Sequence, residues 1–236
     1  MPYIIHRAAN RGKKNIGWLI SNFSFSFSSY YNPVQNGFGL LITLNDDYVK
    51  PGGGFGLHPH VNMEIISVML AGKMNHKDSM GYSEVVEKDW VQIMSAGNGL
   101  RHEEYNIGDT DVNFLQIWIE PKLQNITPRY QKRYFPKEKR KNKLETIVSF
   151  EEGQQHCWIN QNATLSLGWF EKGQELEYRL NPINKAVYIF VTSGTLRFAD
   201  EIIEPRDGIG FWDTTTINLQ AEQEAEFIVI EVPINH

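Results

Sequence analysis

Two pairs of metal-type side chains, each pair split by one residue, constrain this chain more than any other feature. They are His58 and His60 in Gly56-Leu57-His58-Pro59-His60, and His102 and Glu104 in Gly97-Asn98-Gly99-Leu100-Arg101-His102-Glu103-Glu104. Side chains two residues apart leave the same face of a β-strand. Two such strands facing one another would bring three imidazoles and one carboxylate to a point. That donor set suits Fe, Mn, Co, Ni, Cu or Zn. Strands gathered around a metal are therefore the first expectation.

The remaining pattern agrees with strands. Phe23-Ser24-Phe25-Ser26-Phe27-Ser28 alternates strictly and reads as a half-buried strand closed by Asn32-Pro33. Gly39–Leu44 reads as a second, with Asn45-Asp46-Asp47 as its turn, followed by a glycine-rich loop from Pro51 to Gly56. No lysine or helix-opening pattern follows those glycines, which argues against a phosphate loop. Glu64–Gly72, the return from Lys73, Trp90–Met94 and Asn113–Ile119 continue the series. Many short strands punctuated by Gly and Asp indicate a sandwich or barrel.

Residues 121–143 change character, with Pro121, Pro128, Pro136 and a basic run from Lys132 to Lys143 relieved only by Glu138. This predicts an exposed linker, a polyanion-binding or nuclear-import patch being the sharper alternative. The division expected is a metal-binding unit over residues 1–130, a linker at 131–146 and a second unit over 147–236. The second unit repeats the first in part. Tyr188–Phe198 echoes Ile66–His76, with Gly194 matching Gly72. On that register Leu180 and Pro182 fall near His58 and His60, and Gln220 and Glu222 near His102 and Glu104. The second copy keeps the fold pattern and loses the ligands.

A net charge of −5 argues against a nucleic-acid surface. One cysteine, Cys157, excludes an intrachain disulfide and reads as a structural or surface thiol. No apolar run reaches the ~20 residues needed to span a bilayer, and the N-terminal residues lack a signal-peptide core, so the expectation is a cytoplasmic protein without a membrane partner. A monomer is the default.

His58-Pro59-His60 with Glu64, and Gly99-Leu100-Arg101-His102, resemble the two motifs of the cupin superfamily, with Gly97 where proline is usual. With His76-Lys77-Asp78-Ser79-Met80-Gly81, Gln92-Ile93-Met94-Ser95-Ala96-Gly97 and His102-x-Glu104 added, the pattern resembles the pirin family. The resemblance implies an all-β bicupin of two jelly-roll β-barrel domains, with one divalent metal held by His58, His60, His102 and Glu104. Fe(II) is the first expectation, with Mn, Co, Ni, Cu and Zn as the others. It also implies that Glu104 displaces Glu64, a ligand in many other cupins, and on strand geometry alone both carboxylates remain candidates. His76 resembles a pocket or outer-shell position.

The same resemblance implies quercetin 2,3-dioxygenase activity, an oxidoreductase reaction on a small phenol with dioxygen. Glu104 would remove the phenolic proton and carbon monoxide would leave as the ring opens. The alternative is a non-enzymatic metal- or redox-sensing regulator with a protein partner. Met63, Met69, Met74 and Met94 read as core or pocket wall, and Phe23, Phe25 and Phe27 as core, with a place for one of them at the barrel mouth as the alternative. His6, His156 and His236 read as surface or incidental.

Overall fold

The structure is a computed structural model and describes residues 1–234. The chain forms two halves, each a pair of facing sheets. In the first half a seven-stranded sheet runs in the order Arg129–Tyr134, Trp90–Ser95, Glu64–Ala71, Val112–Ile119, Leu41–Val49, Leu19–Phe23, Gly12–Asn15. Its partner has four strands in the order Gly54–His60, Leu100–Asn106, Lys73–Asp78, Ser83–Glu87. The second half repeats the plan. Its seven strands are Tyr3–His6, Gly208–Trp212, Ala186–Ser193, Ala225–Val232, Thr164–Phe170, Leu144–Ser149 and Cys157–Trp158, and its four are Glu175–Arg179, Thr216–Ala221, Leu196–Phe198 and Glu201–Ile203. Among the described residues no helix is long and apolar enough to cross a membrane.

The burial pattern explains why the large sheets are apolar on both faces. Along Val112–Ile119, Val112 and Phe114 point into the first half, while Leu115, Ile117 and Ile119 join a separate cluster. That cluster also holds Leu165, Leu167, Tyr188, Phe190, Ile228 and Ile230 from the second half. The two seven-stranded sheets therefore pack face to face and share one core, in addition to a core inside each half. Each fully buried Leu, Ile or Val there contributes roughly 1.5–3 kcal/mol. That holds the halves together and fixes the position of the first half's inner face.

Several expectations change. Asn45-Asp46-Asp47 is no turn but the middle of Leu41–Val49, and all three side chains are buried. Each has a partner inside the fold: Asn45 Nδ2 donates to Gln116, Asp46 meets Arg206, Arg11 and Asn113, and Asp47 Oδ1 accepts from Ser21, while Asn45 Oδ1 stays buried without a partner. The alternating run at Phe23 stops being a strand at that residue. Ser26 Oγ binds Asn32 and Gln35 and folds the chain into a loop. Its phenylalanines separate, with Phe25 in the shared core and Phe23 and Phe27 lining a cavity inside the first half.

The basic segment is not an exposed linker either. Arg129–Tyr134 pairs with Trp90–Ser95, Phe135 is buried, and buried Arg140 bonds Phe135 O, Asp89 and Glu226. Three of its lysines are paired, Lys132 with Glu84, Lys137 with Glu226 and Lys141 with Glu171. The N-terminal strand Tyr3–His6 crosses over to pair with Gly208–Trp212 in the second half. His6 is consequently buried, its Nδ1 3.0 Å from Tyr188 Oη, rather than a surface residue. His236 lies outside the described residues.

Candidate metal centre

Leu100–Asn106 runs between Gly54–His60 and Lys73–Asp78, so its inward side chains meet those of both neighbours. His102 pairs with His58 on one side and Asp78 on the other, Glu104 pairs with His76, and His60 pairs with Leu100 one rung away. Between His102 and Glu104 the register against Gly54–His60 slips, three steps from Phe55 to His58 matching two on the other strand. The extra residue forms a bulge at Gly56-Leu57, which re-aims His58. His58 Nδ1 lies 2.7 Å from Gly56 O, which orients the ring and leaves Nε2 for a metal.

The rings converge. Centroids of His58 and His102 are 4.4 Å apart, His58 and His60 4.8 Å, and His60 and His102 5.0 Å. Two groups have ligand atoms within 4.8 Å of one another: His58, His60 and His102, and His76, His102 and Glu104. They share His102. All four sequence-derived ligands are thus gathered about one imidazole, with His76 brought in beside Glu104.

The chemistry of this set fits a divalent cation. His102 is 2% exposed and both its ring nitrogens are buried without a hydrogen-bond partner. A buried polar atom left unpaired costs about 1–3 kcal/mol, and a cation among the rings would relieve it. Burial, together with neighbouring imidazoles, pushes His60 and His102 down to about 4. Both are then neutral near pH 7, with lone pairs free for a metal.

Glu104 is buried, which by itself raises a carboxyl, but the adjacent His76 and His102 and the Gln92 amide outweigh this and hold it below the usual range. Gln92 Nε2 donates to Glu104 Oε1, and Gln92 Oε1 accepts from Tyr130 Oη at 3.0 Å. His76 Nδ1 lies 3.7 Å from Glu104 Oε1, while its Nε2 is 3.0 Å from Asp78 Oδ2 and its ring stacks on Tyr130 at 4.5 Å. Asp78, His76, Gln92 and Tyr130 therefore brace Glu104. Gln92 and Asp78 stand within the fragments that carry the family resemblance, yet they read there as a strand residue and a turn residue with no role at the site.

Glu64 lies elsewhere. After His60 the chain turns through Asn62, at φ +49°, and Glu64 begins a strand of the large sheet. Ser95 Oγ donates to Glu64 Oε2 at 2.7 Å and the Asn160 backbone N–H at 3.2 Å, so this carboxyl ties the halves together. Burial pushes it up to about 7 despite those bonds. Between pH 4.5 and 7 the folded state then holds a proton that the unfolded chain has released. The stability contribution is full below that window and is lost as pH rises through it. Asp47, also pushed up to about 7 by burial, acts in the same direction. Denaturant unfolding at pH 5 and pH 8 should show a fall on the order of 5 kcal/mol from the two groups together. Glu64→Gln should remove about half of it, and an unchanged slope in that variant would exonerate Glu64.

Gly97 replaces the proline usual in the second cupin motif for a conformational reason. Its φ is +48°, which proline cannot adopt, and an added Cβ would collide with the Ile126 carbonyl. A cavity of about 240 Å³ lies between the sheets beside the histidines. It is walled by Phe23, Phe27, Phe55 and Trp118, and reaches His58 and His60. Cys157 is buried and pushed up to about 12 by burial, an inert structural thiol.

The second half shows what replaces the ligands. Gly194 matches Gly72, both at positive φ, and the Leu196–Ala221 pair repeats Met74–Asn106. Counting from that pair, Ile217 and Leu219 stand where His102 and Glu104 do, and Tyr178 and Leu180 where His58 and His60 do. The register expected from sequence, with Leu180 and Pro182 near His58 and His60 and with Gln220 and Glu222 near His102 and Glu104, is displaced because the stretch before Gly194 is two residues longer than that before Gly72 and the stretch after it seven residues shorter. Leu180, Ile217 and Leu219 belong to the second half's own core, against which Tyr178 packs. Apolar packing fills the volume that the first half gives to its cluster.

Two jelly-roll sandwiches, with a histidine–carboxylate cluster in the first, define a bicupin with a metal-type centre. The Pirin family profile matches residues 5–119, and that of the quercetinase C-terminal cupin domain matches residues 146–232. The chain is 35% identical to a quercetin 2,3-dioxygenase of Escherichia coli, covering 97% of this chain and 98% of that one. It is 34% identical to a pirin-like protein of Caulobacter vibrioides over 93% of this chain and 95% of that one. A crystal structure of the bacterial pirin YhhW of Escherichia coli in complex with nickel(II) matches with a TM-score of 0.93 at 34% identity, covering 99% of this chain and 100% of that one. This chain belongs to the pirin family.

Proposed function

We propose that this protein is a metal-dependent dioxygenase of the quercetin 2,3-dioxygenase type, opening a flavonol or related phenolic ring, with His58, His60, His102 and Glu104 as metal ligands and Fe(II) the metal first expected. The observation that carries this is His102, buried with both ring nitrogens unpartnered at the meeting point of the two ligand groups. The names and the nickel complex of the relatives support a divalent metal and a small substrate with dioxygen.

His58, His60, His102 and Glu104 would hold a divalent metal, which would supply Lewis acidity toward the substrate's enolic oxygen and the means of using dioxygen. The chain's residues do the rest. Phe23, Phe27, Phe55 and Trp118 offer flat apolar walls to an aromatic ring and keep water from it. Glu104, whose carboxyl His76, His102 and Gln92 hold below the usual range, is the base that would take the 3-hydroxyl proton. His76, held by Asp78, lies close enough to share that proton's charge. The cavity reaching His58 and His60 favours turnover over a purely regulatory role, because a sensor needs no such access.

Dioxygen uptake with quercetin, measured on protein loaded separately with Fe(II), Mn(II), Co(II), Ni(II) and Cu(II), tests the reading. Metal-dependent uptake that disappears in His58→Ala is expected. Full loading without uptake for every metal would overturn it.

A further inference from the structure

The cavity beside the histidines has a polar end that the reaction outlined above does not use. Asp47 lines it from the large sheet, facing the sheet that carries His58 and His60. Its side chain is almost wholly buried, Ser21 Oγ donates to Oδ1, and no described residue donates to Oδ2. Ser21 and Lys14 line the same cavity and share a rung of the sheet with Asp47, Lys14 pairing with Ser21 and Ser21 with Asp47. Aromatic side chains occupy the space around them.

A buried carboxyl with one oxygen undonated costs stability, and burial has already pushed this one up to about 7. Nothing in the first half's packing requires an acid at this position, since the shared core lies on the opposite face of the strand. A ligand hydroxyl reaching Oδ2 would supply the missing donor. Lys14, one strand beyond Ser21 on the same rung, puts a cation on the lining of the same cavity.

We propose that Asp47, oriented by Ser21, is a specificity residue that accepts a hydrogen bond from a second phenolic hydroxyl of the substrate, remote from the oxygens that meet the metal. The substrate class is then a polyhydroxylated planar aromatic rather than a simple enol. This rests on the cavity being the substrate site of the dioxygenase proposed above. A site built to bind a hydroxyl discriminates strongly against analogues that lack it.

The test is anaerobic calorimetric titration of the metal-loaded protein with quercetin and with 3-hydroxyflavone, which keeps the chelating oxygens and lacks the other hydroxyls. Wild type should bind quercetin at least about 10-fold more tightly. Asp47→Asn should reduce that preference to within about 3-fold while leaving 3-hydroxyflavone affinity and metal content unchanged. Should Asp47→Asn fail to fold, Ser21→Ala, which removes only the orienting hydroxyl, should cut the preference by roughly 3-fold. No preference in wild type, or a preference intact in the folded variant, overturns the inference. Preference without dioxygen uptake in air would defeat the dioxygenase reading alone, and uptake without preference would defeat this one alone.

Discussion

Replacing His102 with alanine is expected to abolish tight metal binding and all metal-dependent turnover. The ring is common to both ligand groups, so its loss leaves His58 and His60 without their central partner and Glu104 without an adjacent imidazole ligand. Affinity should fall by well over the roughly 10–100-fold typical of losing an outer hydrogen-bonding partner. The metal-free protein should behave differently. Its buried ring nitrogens have no partner, so removing them trades a lost contact for a relieved desolvation penalty, and the unfolding temperature should move little. Wild type at metal 100-fold above Kd should gain about 2.7 kcal/mol of stability, and the variant none. Chelator competition and thermal unfolding with and without metal read both effects. Unchanged affinity would remove His102 from the ligand set.

The site was legible where side-chain spacing alone carries it. His58 and His60, and His102 and Glu104, are pairs whose convergence follows from the two-residue period of a strand, and the structure places them on neighbouring strands. What spacing could not show was the bulge at Gly56-Leu57, because it depends on hydrogen-bond register between strands rather than on one strand's pattern. Glu64 illustrates the same limit. It sits four residues from His60, yet the turn at Asn62 sends it into the other sheet, where Ser95 and Asn160 hold it.

The larger misreading came from polar residues. Asn45-Asp46-Asp47 has turn composition, and on one sequence there is no sign that Asp46 will meet Arg206 from the other half or that Asp47 will meet Ser21. Tertiary partners override local propensity here. The basic run from Lys132 to Lys143 misled for the same reason, since Lys132, Lys137 and Arg140 meet Glu84, Asp89 and Glu226 from distant parts of the chain. The repeat was visible through Gly72 and Gly194, whose positive φ makes glycine nearly obligatory. Its exact register was not, because loop lengths differ between the halves. Apolar positions gave the fold class well, and buried polar positions were where sequence reasoning ran short.

Glu104→Gln is expected to separate metal binding from proton removal. The amide keeps the side chain's volume and can still meet Gln92, and three imidazoles remain for the metal, so most of the metal should be retained. What is lost is a buried base held in its ionised form by His76, His102 and Gln92 against the effect of burial. Removing a positioned general base typically costs about 10²–10⁴-fold, and kcat with quercetin should fall within that range. The deficit should shrink as pH rises toward the substrate's own ionisation, because a phenol that arrives without its proton needs no base. A deformed pocket would give a loss independent of pH, so the profile distinguishes the two. Activity falling only in proportion to lost metal, or a deficit constant across pH, would make Glu104 a ligand and nothing more. The expected profile would instead give one carboxylate both tasks, with Asp78 and His76 holding it ready for the second.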